Sequence, residues 1–495
     1  MNYEYIIGLF LFTLFFRSLV RIFFPKLIDF DTYFHLFLID YIRKNGISNL
    51  IETERFIKPF GLNYPWMVHF IFSLFPKKWD SFLEKFFNPI LDSLFVVVLY
   101  IFIYYVTGLN EKALYGSLLY IFTPATFSIL GTGPRIKSFT PRLFGEIVGS
   151  LTLIFEYLYL EMGSFIFLFI AIFFASLVFL ASKFSLQALV FINVFIILFT
   201  QDLYLLSVII GGFVLAIIYS KGKYLDILKQ QLIHLKWYFI QNLKWKMAVS
   251  NRNSIKVFIN LLKEKNIKGI ISYLLFENSF FILIYKIPIV LFVLFYLDFD
   301  SILDIFIVSG LIIFIISSLK WFLFIGEAER YINYILPFIV LKAVLIFNFE
   351  TLIYFIIYGF IYYLLDIVVL KKITYKKGDL DNDVLINWLN QQNKKLRIST
   401  IPFHLGGWRI VQATHHNWLY SAGAFINEKD TRDITNFMIS YPFLDINQAD
   451  KIIDFYNLDY IFYNKKVVDR FFKDYKIPPN LKQIKISENI IGLYK

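Results

Sequence analysis

Long apolar runs are the feature of this chain that most limits what it can fold into. Eleven runs of at least 16 residues lie before residue 371, which is near the minimum needed to cross about 30 Å of hydrocarbon. They are residues 5–24, 86–107, 113–131, 143–161, 163–181, 185–200, 203–219, 279–297, 301–325, 329–348 and 350–370. Residues 64–76 form a shorter apolar segment, either a further span or an interfacial piece. The pattern predicts a polytopic α-helical membrane protein with about 11–13 spans.

Composition agrees with this class and excludes several functions. Charged residues make up 17% of the chain against about 25% in soluble domains, and the mean hydropathy is +0.62. The absence of cysteine excludes disulfides and thiolate metal sites. The net charge of +12 is not carried by a compact basic domain, so we expect membrane lipids rather than nucleic acid as partners. The chain has no P-loop, Rossmann glycine fingerprint or GxSxG elbow, so nothing in it supports ATP-driven transport.

The long apolar runs end at Leu370, and the rest of the sequence mixes polar and apolar residues. A basic and then acidic linker, KKITYKKGDLDND, leads into mixed segments such as LRISTIPF and YIFYNKK, which alternate as strands do. Helices are predicted at residues 384–392 and 448–457. The sequence therefore predicts a transmembrane domain at residues 1–370 and a small soluble α/β domain at residues 371–495.

The charge pattern leaves the topology open. Residues 221–256 carry eight lysines and arginines against one acid, Asp226, and the positive-inside rule places such a loop in the cytoplasm. If Met1 is also cytoplasmic, an even number of spans must precede this loop, whereas seven of the predicted spans do. Counting 64–76 as a span, or merging two short spans, would restore the parity. We expect residues 64–76 to belong instead to the first external region.

Two carboxylates and a histidine, Asp29, Asp31 and His35, directly follow the first apolar run. Charged groups beside hydrocarbon are costly, so they are the first candidates for catalysis. On an extended segment, Asp29 and Asp31 face the same way and could bind one divalent cation, Mg or Mn, or one substrate. The alternative is that one of them only caps a helix.

The segment from Thr32 to Lys44 is predicted to be an amphipathic helix that lies on the membrane surface. Its apolar residues at helical spacing are Phe34, Phe37, Leu38 and Tyr41.

A basic loop and an acidic turn supply two further groups of candidates. Arg135 and Arg142, with Lys137, suit the phosphate of a lipid at the membrane edge, and Glu146 follows Arg142 by one helical turn. The pair Arg142–Glu146 could equally be a structural ion pair.

The segment GEAERYINYILPF carries Glu327, Glu329 and Arg330 between two long apolar runs. It is either an interfacial turn or part of the site that holds a donor phosphate or positions an acceptor.

Other polar residues have plainer interpretations. Arg17 and Arg21 share one face of the first helix and either reach the interface or line a polar cavity. His404, His415 and His416 lack the spacing of known metal motifs, so we expect polar surface there rather than a metal site.

The segment FDTYFHLFLIDYIRKNG resembles the first-loop motif of oligosaccharyltransferase catalytic subunits, which reads roughly FDPYFNYR followed by a helix and NG. Those subunits belong to the GT-C class of membrane glycosyltransferases. The resemblance implies that Asp31 is the acidic residue essential for transfer from a polyprenyl-phosphate-linked sugar. NYPWMVHFIFSLFP, with Tyr64 and His69, is similar to a Tyr-Pro-aromatic stretch of the class. The order of elements agrees over about residues 5–160.

The chain departs from the oligosaccharyltransferase pattern at two places. The WWDYG signature is absent, and the expected second acidic motif is replaced by the basic GTGPRIKSFTPRLFGEI. A peptide-glycosylating enzyme is therefore not expected, and the two-motif metal site is in doubt. The resemblance implies a GT-C-like glycosyltransferase of the bacterial or archaeal cytoplasmic membrane, acting on an envelope glycan, lipid or protein. The alternative is a non-enzymatic flippase or exporter of lipid-linked saccharides.

Overall fold

The structure is a computed structural model that describes residues 1–24, 30–47, 55–58, 64–128, 139–243, 252–376, 380–403, 405–419, 428–472 and 474–495. In chain order the helices are α1 (Tyr3–Phe23), α2 (Phe30–Asn45), α3 (Met67–Ser73), α4 (Asp80–Thr107), α5 (Asn110–Phe122), α6 (Arg142–Met162), α7 (Phe165–Ala181), α8 (Lys183–Thr200), α9 (Leu206–Tyr219), α10 (Tyr224–Leu243), α11 (Ile255–Lys263), α12 (Ile267–Phe276), α13 (Ser279–Lys286), α14 (Ile289–Val293), α15 (Ile302–Ser318), α16 (Glu329–Ile346), α17 (Phe349–Lys376), α18 (Leu380–Asn390), α19 (Gly407–Ala413), α20 (Glu428–Asn436), α21 (Ala449–Tyr456) and α22 (Lys465–Phe471). The strands are β1 (Arg397–Ile401), β2 (Asn417–Trp418), β3 (Met438–Ser440), β4 (Phe443–Leu444), β5 (Tyr460–Asn464), β6 (Lys482–Lys485) and β7 (Ile490–Tyr494).

The chain forms two compact units. The helical unit comprises residues 1–29, 64–224 and 251–373, and the α/β unit comprises residues 30–63, 225–250 and 374–495. The α/β unit thus adds α2 and most of α10 to the C-terminal segment, and the predicted division at residue 370 stays a prediction. The Trp237 indole of α10 donates a hydrogen bond of 2.8 Å to Thr435 Oγ1 of α20, which fixes α10 to this unit.

The centre of the helical unit is α16. Beyond its charged first turn this helix is mostly apolar, and a helix of that kind is stable when other helices surround it. It packs against α15, α5 and α6, and most of its residues are buried. An ion pair of 2.6 Å between Lys342 Nζ and Asp304 Oδ2 joins α16 to α15.

Each of the eleven predicted spans overlaps a helix or a pair of consecutive helices. Five segments are long and apolar enough to cross a membrane: Tyr3–Phe23, Lys77–Thr107, Arg142–Met162, Lys183–Thr200 and Phe349–Lys372. Within the described ranges the number rises to seven if each of two bent pairs is one span. The remaining predicted spans are shorter, as in α5, or interrupted, as at Pro288 between α13 and α14. The total of 11–13 spans therefore stays a prediction.

The predicted C-terminal α/β region contains a five-stranded sheet in the order β2-β1-β5-β7-β6. Strand β1 is parallel to β2 and β5, whereas β7 is antiparallel to β5 and β6. Successive side chains of a strand point to opposite faces, so Ile461 and Tyr463 of β5 join one buried cluster and Phe462 joins the other. The helices predicted at 384–392 and 448–457 correspond to α18 and α21.

The prediction for α2 was wrong in one respect. Its apolar face is covered by protein rather than turned toward lipid. The rings of Phe34 and Phe37 lie 4.6 and 5.9 Å from the ring of Trp408 in α19, and Leu38 and Tyr41 are buried. The sequence shows that a helix has an apolar face but not which surface covers it, so a membrane and a neighbouring domain give the same pattern.

Candidate functional site

Three helices of the helical unit, α6, α8 and α16, begin at the same place. A Cβ added to Gly145 of α6 would lie 2.1 Å from Ser185 Oγ of α8, so the two helices touch within their first turns. One turn further along α6, a Cβ added to Gly149 would lie 2.7 Å from the ring of Tyr334 of α16. The Tyr334 hydroxyl donates a hydrogen bond of 2.8 Å to Ser185 Oγ, which joins α16 to α8.

None of the three helix starts has a side-chain cap. The N-cap residues are Pro141, Ser182 and Ala328, and none of them makes a capping hydrogen bond through its side chain. The first N–H groups of a helix lack partners within the helix, and together they give its start a partial positive charge. Three such starts side by side form a region that favours an anion.

The same three first turns also carry cations. Arg142 and Lys183 are the first residues of α6 and α8, and Arg330 is the second residue of α16. The Arg330 guanidinium lies 5.4 Å from the ring centroid of Phe184, and the Lys183 ammonium lies 5.9 Å from that of Tyr64. A cation at the positive end of a helix is unfavourable, so this placement needs a nearby anion to offset it.

Carboxylates of the chain itself supply part of this negative charge. Glu327 forms ion pairs with Arg330 and, at 3.7 Å, with Arg252. Arg252 also pairs with the buried Glu329. Burial raises the pKa of Glu327, but the positive charges of Arg330, Arg252 and Arg142 outweigh burial and leave that pKa below its ordinary value.

Two of the cations are not neutralised in this way. Arg142 is half-buried and acts electrostatically on Glu327 and Arg330, yet it makes no hydrogen bond or ion pair to any residue in the described ranges. Lys183 is also half-buried and makes no hydrogen bond or ion pair to a described residue; its ammonium contacts the Tyr64 ring. The Arg330 Nε is buried and has no hydrogen-bond partner among the described residues. The group at the three helix starts thus has hydrogen-bond donors available for a bound anion.

The structure therefore brings together two predicted groups that lie far apart in sequence. Arg142 and Glu146 come from the basic loop and its helix, and Glu327 and Arg330 come from the acidic turn; both Arg142 and Glu146 act electrostatically on Arg330. Glu146 is buried.

Tyr64 and His69 belong to the same unit, and their rings meet edge to face at 5.6 Å. Burial lowers the pKa of His69 to about 3, so its ring is neutral. Tyr64 reaches the site through its contact with Lys183.

Three cations near the site were missed by the sequence analysis: Lys183, Arg252 and Lys286. Lys286 is buried in α13 and acts electrostatically with Glu329, Asp366 and Glu327. Lys183 and Lys286 are each a single charge within apolar sequence. The sequence alone could have identified them as candidates, because ionisable residues in apolar stretches tend to be functional.

The other predicted residues lie in the α/β unit or outside the described ranges. Asp31 is half-buried in the first turn of α2, where its negative charge interacts favourably with the partial positive charge of the helix start. His35 is buried, and its ring lies 5.1 Å from that of Phe34. Asp29 and Arg135 lie outside the described residues. A cavity shared by Asp31 and the cations of the helical unit stays a prediction.

No set of three metal-binding side chains, counting His, Cys, Asp and Glu, comes together in the part of the chain that the structure describes. His416 is unsuited to a metal, because its Nδ1 accepts a hydrogen bond from Leu396 N at 3.0 Å and its Nε2 lies 2.7 Å from Leu389 O. His404 lies outside the described residues. The predicted cation pair Asp29–Asp31 stays a prediction.

Arg17 and Arg21 of α1 have a structural role that neither sequence interpretation covered. Both are buried and paired across to α4, Arg17 with Asp92 and Arg21 with Glu84, each at 2.5 Å. Arg17 also donates a hydrogen bond of 2.7 Å to Thr126 Oγ1. These pairs fix α1 to α4.

The comparisons with known proteins agree with this architecture. No protein-family model matches the chain, and no curated protein matches it in sequence. The crystal structure of the Archaeoglobus fulgidus oligosaccharyltransferase in complex with Zn and sulfate matches with a TM-score of 0.51 and 12% identity, over 93% of this chain and 68% of that one. The oligosaccharyltransferase AglB of the same organism, with an inhibitory peptide and a dolichol-phosphate, has a TM-score of 0.49 and 11% identity, over 92% of this chain and 69% of that one. The first match shows the fold. The chain is distantly similar to oligosaccharyltransferases of the GT-C class, as the first-loop resemblance implied.

Proposed function

We propose that this chain is an integral, multi-pass membrane glycosyltransferase of the GT-C class. It would move a sugar from a polyprenyl-phosphate-linked donor to a glycan, lipid or protein of a bacterial or archaeal cell envelope. The observation that carries this proposal is the meeting of Arg142, Lys183 and Arg330 at three uncapped helix starts, within a fold similar to that of an oligosaccharyltransferase.

The three helix starts would hold the phosphate of the donor. Arginine presents a planar fork that matches phosphate oxygens, and lysine adds a compact positive charge. Arg142 and Lys183 bring cationic donors that no described carboxylate neutralises, and Arg330 adds its buried Nε. These helix starts lie at the end of a bundle of apolar helices. A lipid bound there by its anionic headgroup can lay its hydrocarbon tail along the apolar surface of the bundle.

The transfer would be a displacement at the anomeric carbon of the sugar. An acceptor oxygen forms a bond to that carbon, the bond from the carbon to the phosphate oxygen breaks, and its electron pair leaves with the phosphate. The acceptor proton passes to the Asp31 carboxylate, acting as general base. The cations at the helix starts would stabilise the negative charge that grows on the leaving phosphate.

The alternative role for Asp31, in place of general base, is to hold a divalent cation, Mg or Mn, together with Asp29. Bound there, it would stabilise the leaving phosphate. Asp29 lies outside the described residues, and no group of three metal-binding side chains forms among the residues that the structure describes.

A transfer assay tests the proposal. The full-length chain is placed in lipid nanodiscs with a panel of labelled polyprenyl-phosphate-linked sugars and envelope extracts as acceptors. Asp31→Asn is expected to abolish transfer. Asp40→Asn is a matched control, because Asp40 lies on the same helix and pairs with Arg43 at 2.6 Å, outside the proposed chemistry.

The alternative function has a distinct result. A flippase or exporter would move the labelled lipid across proteoliposomes without forming a new glycosidic bond, and Asp31→Asn would leave that movement intact. Transport without transfer, or equal transfer by the Asp31 and Asp40 variants, would overturn the proposal.

A further inference from the structure

Helices α11 and α12 form a short hairpin in the helical unit. Ser254 and Asn266 cap the two helices through hydrogen bonds of 3.4 Å to Val257 N and 2.9 Å to Gly269 N. The facing sides pack together, and the rings of Phe258 and Tyr273 are stacked at 5.6 Å. The hairpin is thus a defined element with one inner and one outer surface.

The outer surface is apolar although nothing in the described chain covers it. Ile255, Ile259 and Leu262 repeat at helical spacing along α11 and are 73%, 43% and 49% exposed. Ile267 and Ile271 of α12 extend this stripe and are 69% and 52% exposed. Single exposed apolar residues are ordinary, but a continuous stripe on an amphipathic helix marks a binding surface.

Lysines border the stripe. Lys256, Lys263, Lys265 and Lys268 are exposed, and none of them forms an ion pair with a residue in the described ranges. The one acid in this stretch is Glu264. Apolar residues on one side and unpaired lysines along the edge are the pattern of a helix that lies in the headgroup layer of an anionic membrane.

The base of the hairpin is held firmly to the apolar helices. Asn253 Nδ2 donates hydrogen bonds of 3.1 Å to Ser279 Oγ and 2.9 Å to Ser318 O, and Asn253 Oδ1 accepts one of 2.7 Å from Ser279 N. Helix α12 meets α13 at an angle of 73°. If α13 runs along the membrane normal, a helix bent away from it by this angle lies close to the membrane plane.

We propose that the α11–α12 hairpin is a membrane-surface anchor. Its stripe of isoleucines and leucine enters the hydrocarbon layer next to the headgroups, and its four lysines bind the phosphates of anionic lipids. The occupant of this surface is therefore a lipid bilayer. The proposal requires a membrane but does not depend on glycosyl transfer.

The absence of cysteine allows a direct test. Single cysteines at each position from 255 to 263 are spin-labelled in the full chain in nanodiscs containing anionic lipid. Collisions with oxygen, which concentrates in hydrocarbon, are compared with those of a water-soluble nickel chelate. Oxygen access is expected to peak at positions 255, 259 and 262, and nickel access at 256, 260 and 263.

Two outcomes would overturn the proposal. Equal nickel access at all positions would mean that the surface faces water, and low access of both reagents at 255, 259 and 262 would mean that protein, such as a second copy of the chain, covers it. Both outcomes can be seen in any variant that folds, because the six positions that decide between them, 255, 256, 259, 260, 262 and 263, are exposed.

The lysines are tested by lipid retention. Replacing Lys256, Lys263, Lys265 and Lys268 by glutamine is expected to weaken the binding of anionic lipid by about fivefold for each lysine that touches the surface, seen as less anionic lipid copurifying with the chain. A control with four exposed lysines of the α/β unit replaced, Lys429, Lys451, Lys466 and Lys476, should retain the lipid. Equal losses in both variants would contradict the assignment.

Discussion

Two groups of charged residues lie inside the helical unit, and they differ in how completely they are paired. Between α1 and α4, Arg17 and Arg21 each meet a buried carboxylate at 2.5 Å. At the starts of α6 and α8, Arg142 and Lys183 meet no described carboxylate at ion-pair distance. A complete ion pair links two helices and needs no further partner. An unpaired cation at a positive helix end requires an anion that does not belong to the protein. We therefore treat completely paired charges as structural, and cations left unpaired, or paired only in part as Arg330 is with Glu327, as candidate binding charges.

The largest effect is expected where a complete pair is broken. Arg17→Leu leaves Asp92 buried without its cation, which should lower the free energy of unfolding by about 3–5 kcal/mol. The measurement is thermal unfolding in detergent. The double variant Arg17→Leu/Asp92→Leu should regain most of the loss, since removing both charges also removes the uncompensated one. A single variant as stable as the parent would show that this pair is not structural.

The next effect concerns the donor site. Arg330→Ala should lower sugar transfer by about 100- to 1000-fold, the usual loss when one group that stabilises a growing negative charge is removed. Arg432→Ala, an exposed arginine of the α/β unit, is the control and should keep full transfer. If the two variants transfer sugar equally well, the helix starts do not bind the donor.

A smaller effect is expected at Lys183. Lys183→Met should weaken the binding of a long-chain polyprenyl phosphate by about tenfold or more, since a charge-assisted hydrogen bond contributes about 1.5–3 kcal/mol. Lys465→Met is a matched control, because Lys465 is also the first residue of a helix but is exposed in the α/β unit. The dissociation constants are measured by fluorescence in nanodiscs. Equal constants for both variants would place Lys183 with the structural charges.

The smallest effect is a pH dependence in the α/β unit. Burial lowers the pKa of His416 below its ordinary value, more than its hydrogen bond to Leu389 raises it, and Arg55 lowers it further. The folded state therefore binds a proton less readily than the unfolded state, so stability should fall as the pH drops below about 6.5, by at most about 1.4 kcal/mol per pH unit. Unfolding measured from pH 7.5 to 5 should lose this slope in His416→Gln and keep most of it in His415→Gln, which removes only a smaller cause of the lowered pKa of His416.

The sequence predicted the charged groups better than their arrangement. Arg142, Glu146, Glu327 and Arg330 interrupt apolar runs, so each could be found locally. Their convergence depends on which helix ends meet, and that is decided by contacts such as Gly145 against Ser185, which no local pattern reveals. Lys183 stood between two apolar runs and was counted only as their boundary.

The compactness of the α/β unit bears on the topology that the sequence left open. Residues 30–63, 225–250 and 374–495 form one compact unit, so they lie on one side of any membrane that the apolar helices cross. An even number of crossings must then separate residues 63 and 225, and the six predicted spans from 86 to 219 satisfy this without counting 64–76. Residues 225–243 of the basic loop belong to the α/β unit, where Lys236 pairs with Glu428 at 3.1 Å. A cytoplasmic Met1 and a cytoplasmic basic loop cannot both hold if α1 crosses.

Because three helix starts meet at this site, thermal unfolding can be used to identify the ligand. Like charges held close together at this end of the bundle weaken the fold until an anion neutralises them, so occupancy should register as a higher unfolding temperature. A ligand at one hundred times its dissociation constant adds about 2.7 kcal/mol to the free energy of unfolding. A melting curve therefore ranks candidate lipid phosphates in nanodiscs before any acceptor is known.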